Sequence, residues 1–254
     1  MKSGEQRSEQ VYGVAMEILK VARLNKHFGG LAACTNVDFH VEEGEIVGLI
    51  GPNGAGKTTI FNLVSGALTP DSGTIAFKGS LIAGLKPHEI TRMGIGRTFQ
   101  SVKIFSKMSV FENVLLGHHF GKVKPSNKKG AKEETEGILE FVELSGMRDS
   151  RAMDLILAHQ KRLEVARALA TQPNLLLLDE VMAGLNPAEV TQAMELVKRI
   201  RERGITILMI EHVMKAIMAI CDRIIVLHHG EKIAEGVPEN ISKNQRVIEV
   251  YLGE

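Results

Sequence analysis

Residues 51–59 read Gly51-Pro52-Asn53-Gly54-Ala55-Gly56-Lys57-Thr58-Thr59. The spacing G-x-x-x-x-G-K-[ST] is suited to holding phosphate. Glycine tolerates backbone conformations that turn several N–H groups toward one anion. A helix opening at Lys57 adds its free amides and positive dipole end at the same point. Lys57 supplies a cation for the outer phosphates, and the Thr58 hydroxyl suits Mg2+. A short apolar segment at 45–50 precedes the glycines, and a helical pattern at 57–68 follows them. This strand, loop and helix are the context the motif requires, and the ligand they point to is ATP with Mg2+.

A phosphate loop needs a carboxylate for its metal, and Leu175-Leu176-Leu177-Leu178-Asp179-Glu180 supplies one. Four leucines predict a buried strand with the acids at its carboxyl end, where ligands gather in open α/β sheets. Asp179 is expected to hold Mg2+ through water, and Glu180 to polarise an attacking water. His212 follows the apolar segment 205–210 and is placed to touch a γ-phosphate. Gln100 ends an extended run at 94–99, and its neutral amide suits a reversible metal or water ligand. The pairs His118-His119 and His228-His229 lack partners at metal-ligand spacing and are expected at the surface.

The elements that position these residues alternate. Strand patterns at 17–24, 37–41, 45–50, 74–77, 175–178, 205–210 and 223–227 are interleaved with helical ones at 57–68, 87–93, 162–170, 188–203 and 214–220. This predicts an α/β fold, a mostly parallel sheet with helices on both faces and an antiparallel β edge. Residues 101–158 break the alternation and read as an inserted helical subdomain, leaving 16–100 and 159–254 as the core. Residues 1–15 read as a polar tail and 121–132 as an exposed loop.

Composition narrows the classes. The 254 residues carry 31 Lys and Arg against 30 Asp and Glu, so no general basic field exists to hold nucleic acid. Hydrophobic residues make up 44%, enough for a core without metal or disulfide help. Cys34 and Cys221 are expected as buried free thiols. No apolar run approaches the ~18–20 residues of a membrane helix. A cytoplasmic chain is expected, with any membrane role exercised through partners.

Taken in order, the phosphate loop, Arg97-Thr98-Phe99-Gln100, residues 175–180, Ala183-Gly184-Leu185-Asn186-Pro187 and His212 resemble the ATP-binding subunit of an ABC transporter, over residues 16–254. Gly96–Gln100, Leu163-Glu164-Val165-Ala166-Arg167-Ala168-Leu169 and the ending Val250-Tyr251-Leu252-Gly253-Glu254 are similar to the branched-chain amino acid importers, LivG type. The resemblance implies a P-loop NTPase core that hydrolyses ATP to drive uptake of branched-chain amino acids. It implies that Phe28 stacks on adenine, residues 51–59 bind the phosphates, Gln100 senses the γ-phosphate, Glu180 is the general base and His212 the switch histidine. It implies two transmembrane permease subunits, a solute-binding protein met indirectly, and a second ATPase subunit, heterodimer favoured and homodimer open. No nucleic acid partner is expected. The chain is expected on the inner face of the cell membrane.

The family's signature L-S-G-G-Q falls on Leu155-Ile156-Leu157-Ala158-His159, which keeps only the leucine. Ile156 offers no hydroxyl donor, and Leu157 and Ala158 replace glycines. Val181 stands where proline usually follows the catalytic glutamate, and Val213 where Asp is common after the histidine. An asymmetric pair of ATPase subunits is one reading of these departures. A nucleotide-binding regulatory module with little turnover is the alternative. An ABC-type ATPase acting on DNA or ribosomes is a third, disfavoured because neither a long coiled coil nor a tandem ATPase unit is present.

Overall fold

A computed structural model describes residues 16–122 and 128–252; the expected polar tail and part of the expected 121–132 loop lie outside them. The chain begins with β1 (Glu17–Phe28), β2 (Leu31–Glu42) and β3 (Ile46–Ile50), followed by α1 (Lys57–Val64). Then come β4 (Ser72–Phe77), β5 (Ser80–Leu81), α2 (Pro87–Met93) and β6 (Ile95–Arg97). Helices α3 (Val110–Gly117), α4 (Lys128–Phe141) and α5 (Leu157–Leu169) follow, with two short 3₁₀ turns before α5. The alternation resumes with β7 (Leu175–Asp179), α6 (Pro187–Glu202), β8 (Thr206–Ile210), α7 (Met214–Ile220) and β9 (Arg223–His228). β10 (Glu231–Gly236), α8 (Pro238–Ser242) and α9 (Gln245–Leu252) complete the described chain.

The main sheet has the order β10-β9-β3-β8-β7-β6. Its four pairings from β9 to β6 run parallel, and β10 adds an antiparallel edge. β3, β7 and β8 are buried along their whole length, which is why they read as unbroken apolar runs rather than alternating ones. Their side chains still divide by parity between two cores. Ile46, Leu176, Leu178, Ile207, Met209 and Val226 face α3 to α7. Val47, Leu49, Leu175, Leu177, Leu208 and Leu227 face the other way, onto Ile60, Phe61 and Leu63 of α1.

The second face differs in detail from the expected helical layer. Beside α1 it is covered by a separate antiparallel sheet, β2-β1-β4-β5, whose Leu19, Val21, Phe39, Val41, Ile75 and Phe77 join the same core. The alternation in β1 is legible as far as 24; the strand continues to Phe28 through irregular register, which hides its last residues from a period-two pattern. α5 starts five residues before its sequence pattern does, because its first turn is exposed and carries no apolar stripe.

His118 corrects an expectation. It is buried, 2% exposed, although His119 is exposed. Gly117 explains this: a Cβ there would lie 2.7 Å from the Arg167 carbonyl oxygen, so the end of α3 presses directly on α5. Among the described residues neither His118 ring nitrogen has a hydrogen-bond partner, although Nδ1 lies 3.5 Å from the Glu134 carboxylate, and burial lowers its pKa.

Arg223 ties the two sheets together. Its guanidinium, 16% exposed, donates to both Glu45 carboxylate oxygens, to Glu235 of β10 and to the His40 carbonyl of β2. Removing one member of a partly buried ionic cluster leaves the others unpaired. Arg223→Met is expected to lower the melting temperature by about 5–10 °C, read by thermal denaturation. An unchanged melting temperature would show that the cluster contributes nothing net.

Candidate active site

Four chain segments leave the carboxyl ends of adjacent parallel strands at one edge of the sheet. The phosphate loop follows β3, Glu211 and His212 follow β8, Asp179 and Glu180 end β7, and Thr98 to Gln100 follow β6. This is where open α/β sheets receive ligands.

The loop's shape depends on its glycines. Gly51 (φ +151°) and Gly56 (φ +102°) have backbone angles that L side chains rarely adopt. A Cβ on Gly51 would lie 2.2 Å from the Leu227 carbonyl oxygen, and one on Gly56 would lie 2.4 Å from that of Ala33. Ala55 is buried and its carbonyl accepts from the Gly230 N–H, which ties the loop to the β9–β10 turn. Gly56 caps α1 without any side-chain hydrogen bond, so the first amides of α1 remain directed at the loop. Pro52 is half-buried, while Asn53, Gly54 and Thr58 are exposed and Thr59 is half-buried at the helix start. Lys57 is buried, and its Nζ donates to the carbonyls of Gly51 and Pro52 at 2.6 and 2.8 Å. Burial lowers its pKa, against the pull of Glu180 and Asp179.

The acids are held individually. Asp179 is 1% exposed. Its N–H donates to Thr98 Oγ1, and its Oδ2 accepts from Arg97 at 3.2 Å. Arg97 also donates to Asn62 and Ser65, joining β6 to α1. Burial pushes the Asp179 carboxyl up and the Arg97 guanidinium down, outweighing their mutual attraction. Asp179 Oδ1 is buried with no hydrogen-bond partner among the described residues. An unpartnered carboxylate oxygen is the hard donor that Mg2+ takes, so Asp179 fits that ion.

Glu180 adopts a left-handed backbone (φ +53°), costly for a non-glycine residue by on the order of 1–3 kcal/mol. Its carboxylate is the meeting point of the site. Oε1 accepts from Gln100 Nε2 at 3.1 Å and lies 3.0 Å from His212 Nε2. His212 is 43% exposed and Glu180 13%, so one open imidazole meets a nearly buried carboxylate.

Thus Lys57, Gln100, Asp179, Glu180 and His212 converge. Phe28 stands at the β1–β2 hairpin, 47% exposed, with the Lys26 ammonium over its ring at 5.8 Å. The same hairpin's second strand meets the loop at Ala33. The 155–159 segment lies at the head of α5, with Ile156 58% and Leu157 43% exposed. Leu157 lies against Gly184 of the 183–187 segment.

Sequence reasoning assigned no role to Arg97, Thr98, Lys161, Glu164 or Glu211. Arg97 and Thr98 stood inside a quoted motif; a buried arginine beside an acid is a signal only after folding. Glu211 is 2% exposed, and its Oε1 accepts from the Met182 N–H at 2.7 Å.

The ABC transporter family profile matches residues 34–183, and that of the branched-chain amino acid ATP-binding cassette transporters matches 231–254. The chain is 42% identical to the high-affinity branched-chain amino acid transport ATP-binding protein BraF of Pseudomonas aeruginosa, over 93% of this chain and 98% of that one. It is also 42% identical to the corresponding protein LivG of Escherichia coli K12, over 95% of this chain and all of that one. Among solved structures it resembles the ADP conformation of MJ1267, an ATP-binding cassette of an ABC transporter, with TM-score 0.85 and 33% identity over 94% of this chain and 100% of that one.

Burial raises Glu211 from the ordinary 4.5 to about 7. The folded chain therefore keeps a proton that the unfolded chain has released, and stability falls as pH rises from 4.5 to about 7, levelling off above. Glu211→Gln keeps the acceptor for Met182 and stays neutral throughout. Its melting temperature is expected to fall less than the wild type's between about pH 5 and about pH 8. Parallel curves for the two proteins would place the titration elsewhere.

Proposed function

The chain belongs to the ATP-binding subunits of ABC transporters, and from that premise we propose that it hydrolyses ATP to drive the import of branched-chain amino acids through partner permeases. The convergence of Gln100 and His212 on one oxygen of Glu180, beside Lys57 and Asp179, is the observation that carries this reading. Amides of the loop and of α1, with Lys57, bind the triphosphate. Phe28 stacks on the adenine. Asp179, Thr58 and Gln100 would hold Mg2+, which when bound would supply charge stabilisation for phosphoryl transfer.

Glu180 orients and polarises the water. Its carboxylate is fixed by hydrogen bonds rather than by an ion pair with Lys57, so it remains free to accept a proton. His212 and Gln100 share its Oε1 and leave Oε2 for the water. The proton passes from water to carboxylate as the new phosphate bond forms in line with the departing ADP.

The permease subunits dock at a groove of about 480 Å³ between β6, α3 and α5. Phe99, Phe105 and Phe120 expose 45–52% of their surface along it, with Lys103 and Arg167 beside them. The groove begins one residue before Gln100, so a docked permease segment and the γ-phosphate act on the same loop. No described helix is long and apolar enough to cross a membrane, which leaves that task to the partners.

The partner cassette contributes its signature to this chain's nucleotide, and this chain's Ile156 contributes no hydroxyl in return. Ile156 caps α5 without a side-chain hydrogen bond, where a serine would also cap the helix. The pair is a heterodimer, in which only the site using Ile156–His159 of this chain is weakened.

Three measurements test this. Lys57→Ala is expected to weaken Mg-ATP binding about 100-fold by calorimetry, since a charge-assisted contact to phosphate is lost. Glu180→Gln is expected to bind ATP normally and hydrolyse it about 10²–10⁴-fold more slowly; undiminished turnover would favour a regulatory module. Ile156→Ser with Ala158→Gly is expected to raise the ATPase rate of the partnered complex about tenfold or more. An unaltered rate would dispose of the asymmetric pair.

A further inference from the structure

α5 carries two buried charges that the reaction as described does not use. Lys161 is 7% exposed and Glu164 5%. Three residues apart, they share one face of the helix, and each reaches a different catalytic segment. Lys161 Nζ donates to the Glu180 carbonyl at 2.6 Å. Glu164 Oε1 accepts from the N–H groups of Phe99 and Lys103 at 3.3 and 3.1 Å. Those two amides bracket Gln100. The Glu180 turn is gripped from its other side by Glu211, which accepts from the Met182 N–H.

We propose that Lys161 and Glu164 are positioning residues, which set the Gln100–Glu180 contact by fixing both backbones to one rigid helix. The proposal deepens the ATPase reading and rests on it. Its argument is one of cost and aim. Burying a lysine and two glutamates is expensive, and apolar side chains would pack the same space more cheaply. Burial indeed pushes Lys161 down and Glu164 up, so the charges are retained against the stability of the fold. What they gain is direction. Glu180 has a left-handed backbone that needs external support. The Gln100 loop is otherwise exposed at Phe99 and Gln100. A carboxylate that binds one amide on each side of Gln100 holds the loop without occupying the amide side chain. α5 also begins at Ile156–His159, one turn before Lys161. A displacement of that turn therefore moves Gln100 and Glu180 together.

The test uses the chain assembled with its partner subunits for turnover, and the chain itself for Mg-ATP binding by calorimetry. Glu164→Ala and Lys161→Met are each expected to lower kcat about 10- to 100-fold while leaving the ATP Kd within about threefold, as misplacement of a reacting group does. Glu164→Gln keeps an oxygen in place of Oε1 and is expected to restore kcat to within about threefold of wild type. If Glu164→Ala does not fold, Glu164→Asp carries the test, since it withdraws the acceptor by one methylene and is expected to lower kcat in the same way. The proposal is overturned if folded Glu164→Ala (or Glu164→Asp) and Lys161→Met turn over at the wild-type rate. It is equally overturned if Glu164→Gln is as impaired as Glu164→Ala, or if ATP binding falls in step with kcat. A wild-type complex that neither binds nor hydrolyses ATP would instead remove the functional reading itself.

Discussion

A site that receives a polyanion must keep a cation unshielded while keeping carboxylates close by, and water would weaken both demands. Lys57 and Asp179 are buried and Glu180 nearly so. Their opposite charges would collapse into a tight pair if the side chains were free to move. The fold prevents this by occupying each group elsewhere. Lys57 donates to loop carbonyls, the Asp179 carboxylate accepts from Arg97, and that of Glu180 meets Gln100 and His212. Each polar group is satisfied yet retains an atom for ligand. Asp179 keeps an unpaired Oδ1 and the α1 amides lack a side-chain cap. Preorganisation of this kind spares the reaction the cost of reorienting dipoles as charge develops.

The architecture follows from that demand. Parallel strands put all their carboxyl ends at one edge, so four loops meet there without long excursions. The two cores on either side of the sheet hold those strands in register, one closed by helices and the other by α1 and a second sheet. α1 lies under that second sheet, so the helix whose dipole faces the phosphates cannot shift independently of the core. α5 has a different task. It packs against α3 and β7 and reaches the active site with two charged side chains, while its first turn stays exposed. The groove beside it joins the Gln100 loop to a surface rich in exposed phenylalanine. A helix connected to both is the natural carrier of motion between nucleotide and partner.

Local chemistry was legible without coordinates. The glycine spacing of 51–58 is itself a backbone specification, and each glycine that steric contact demands, Gly51 and Gly56, was already part of it. Asp179, Glu180, His212 and Gln100 declared themselves because each stands within two residues of the end of an apolar segment. Misreadings arose where the deciding neighbour is distant in sequence. His118 looked like a surface residue because its burial depends on Gly117 meeting Arg167, 50 positions along the chain. The 24–28 end of β1 was missed because a shifted register spoils alternation, and the head of α5 because its exposed turn has no apolar period.

What the amino-acid order determined by itself was therefore the parts: a phosphate loop with its helix, two acids at a strand end, and the alternation that makes a parallel sheet. These are short-range properties, fixed by backbone freedom and by the periodicity of burial. Which side chains brace those parts was decided only in three dimensions. Arg97 meets Asp179 across 82 positions, Glu164 meets Phe99 across 65 and Lys161 meets Glu180 across 19. A hydrogen bond depends on a distance of about 3 Å and an angle. Neither is set by a residue's identity or spacing until the sheet and α5 have packed and brought the two groups together.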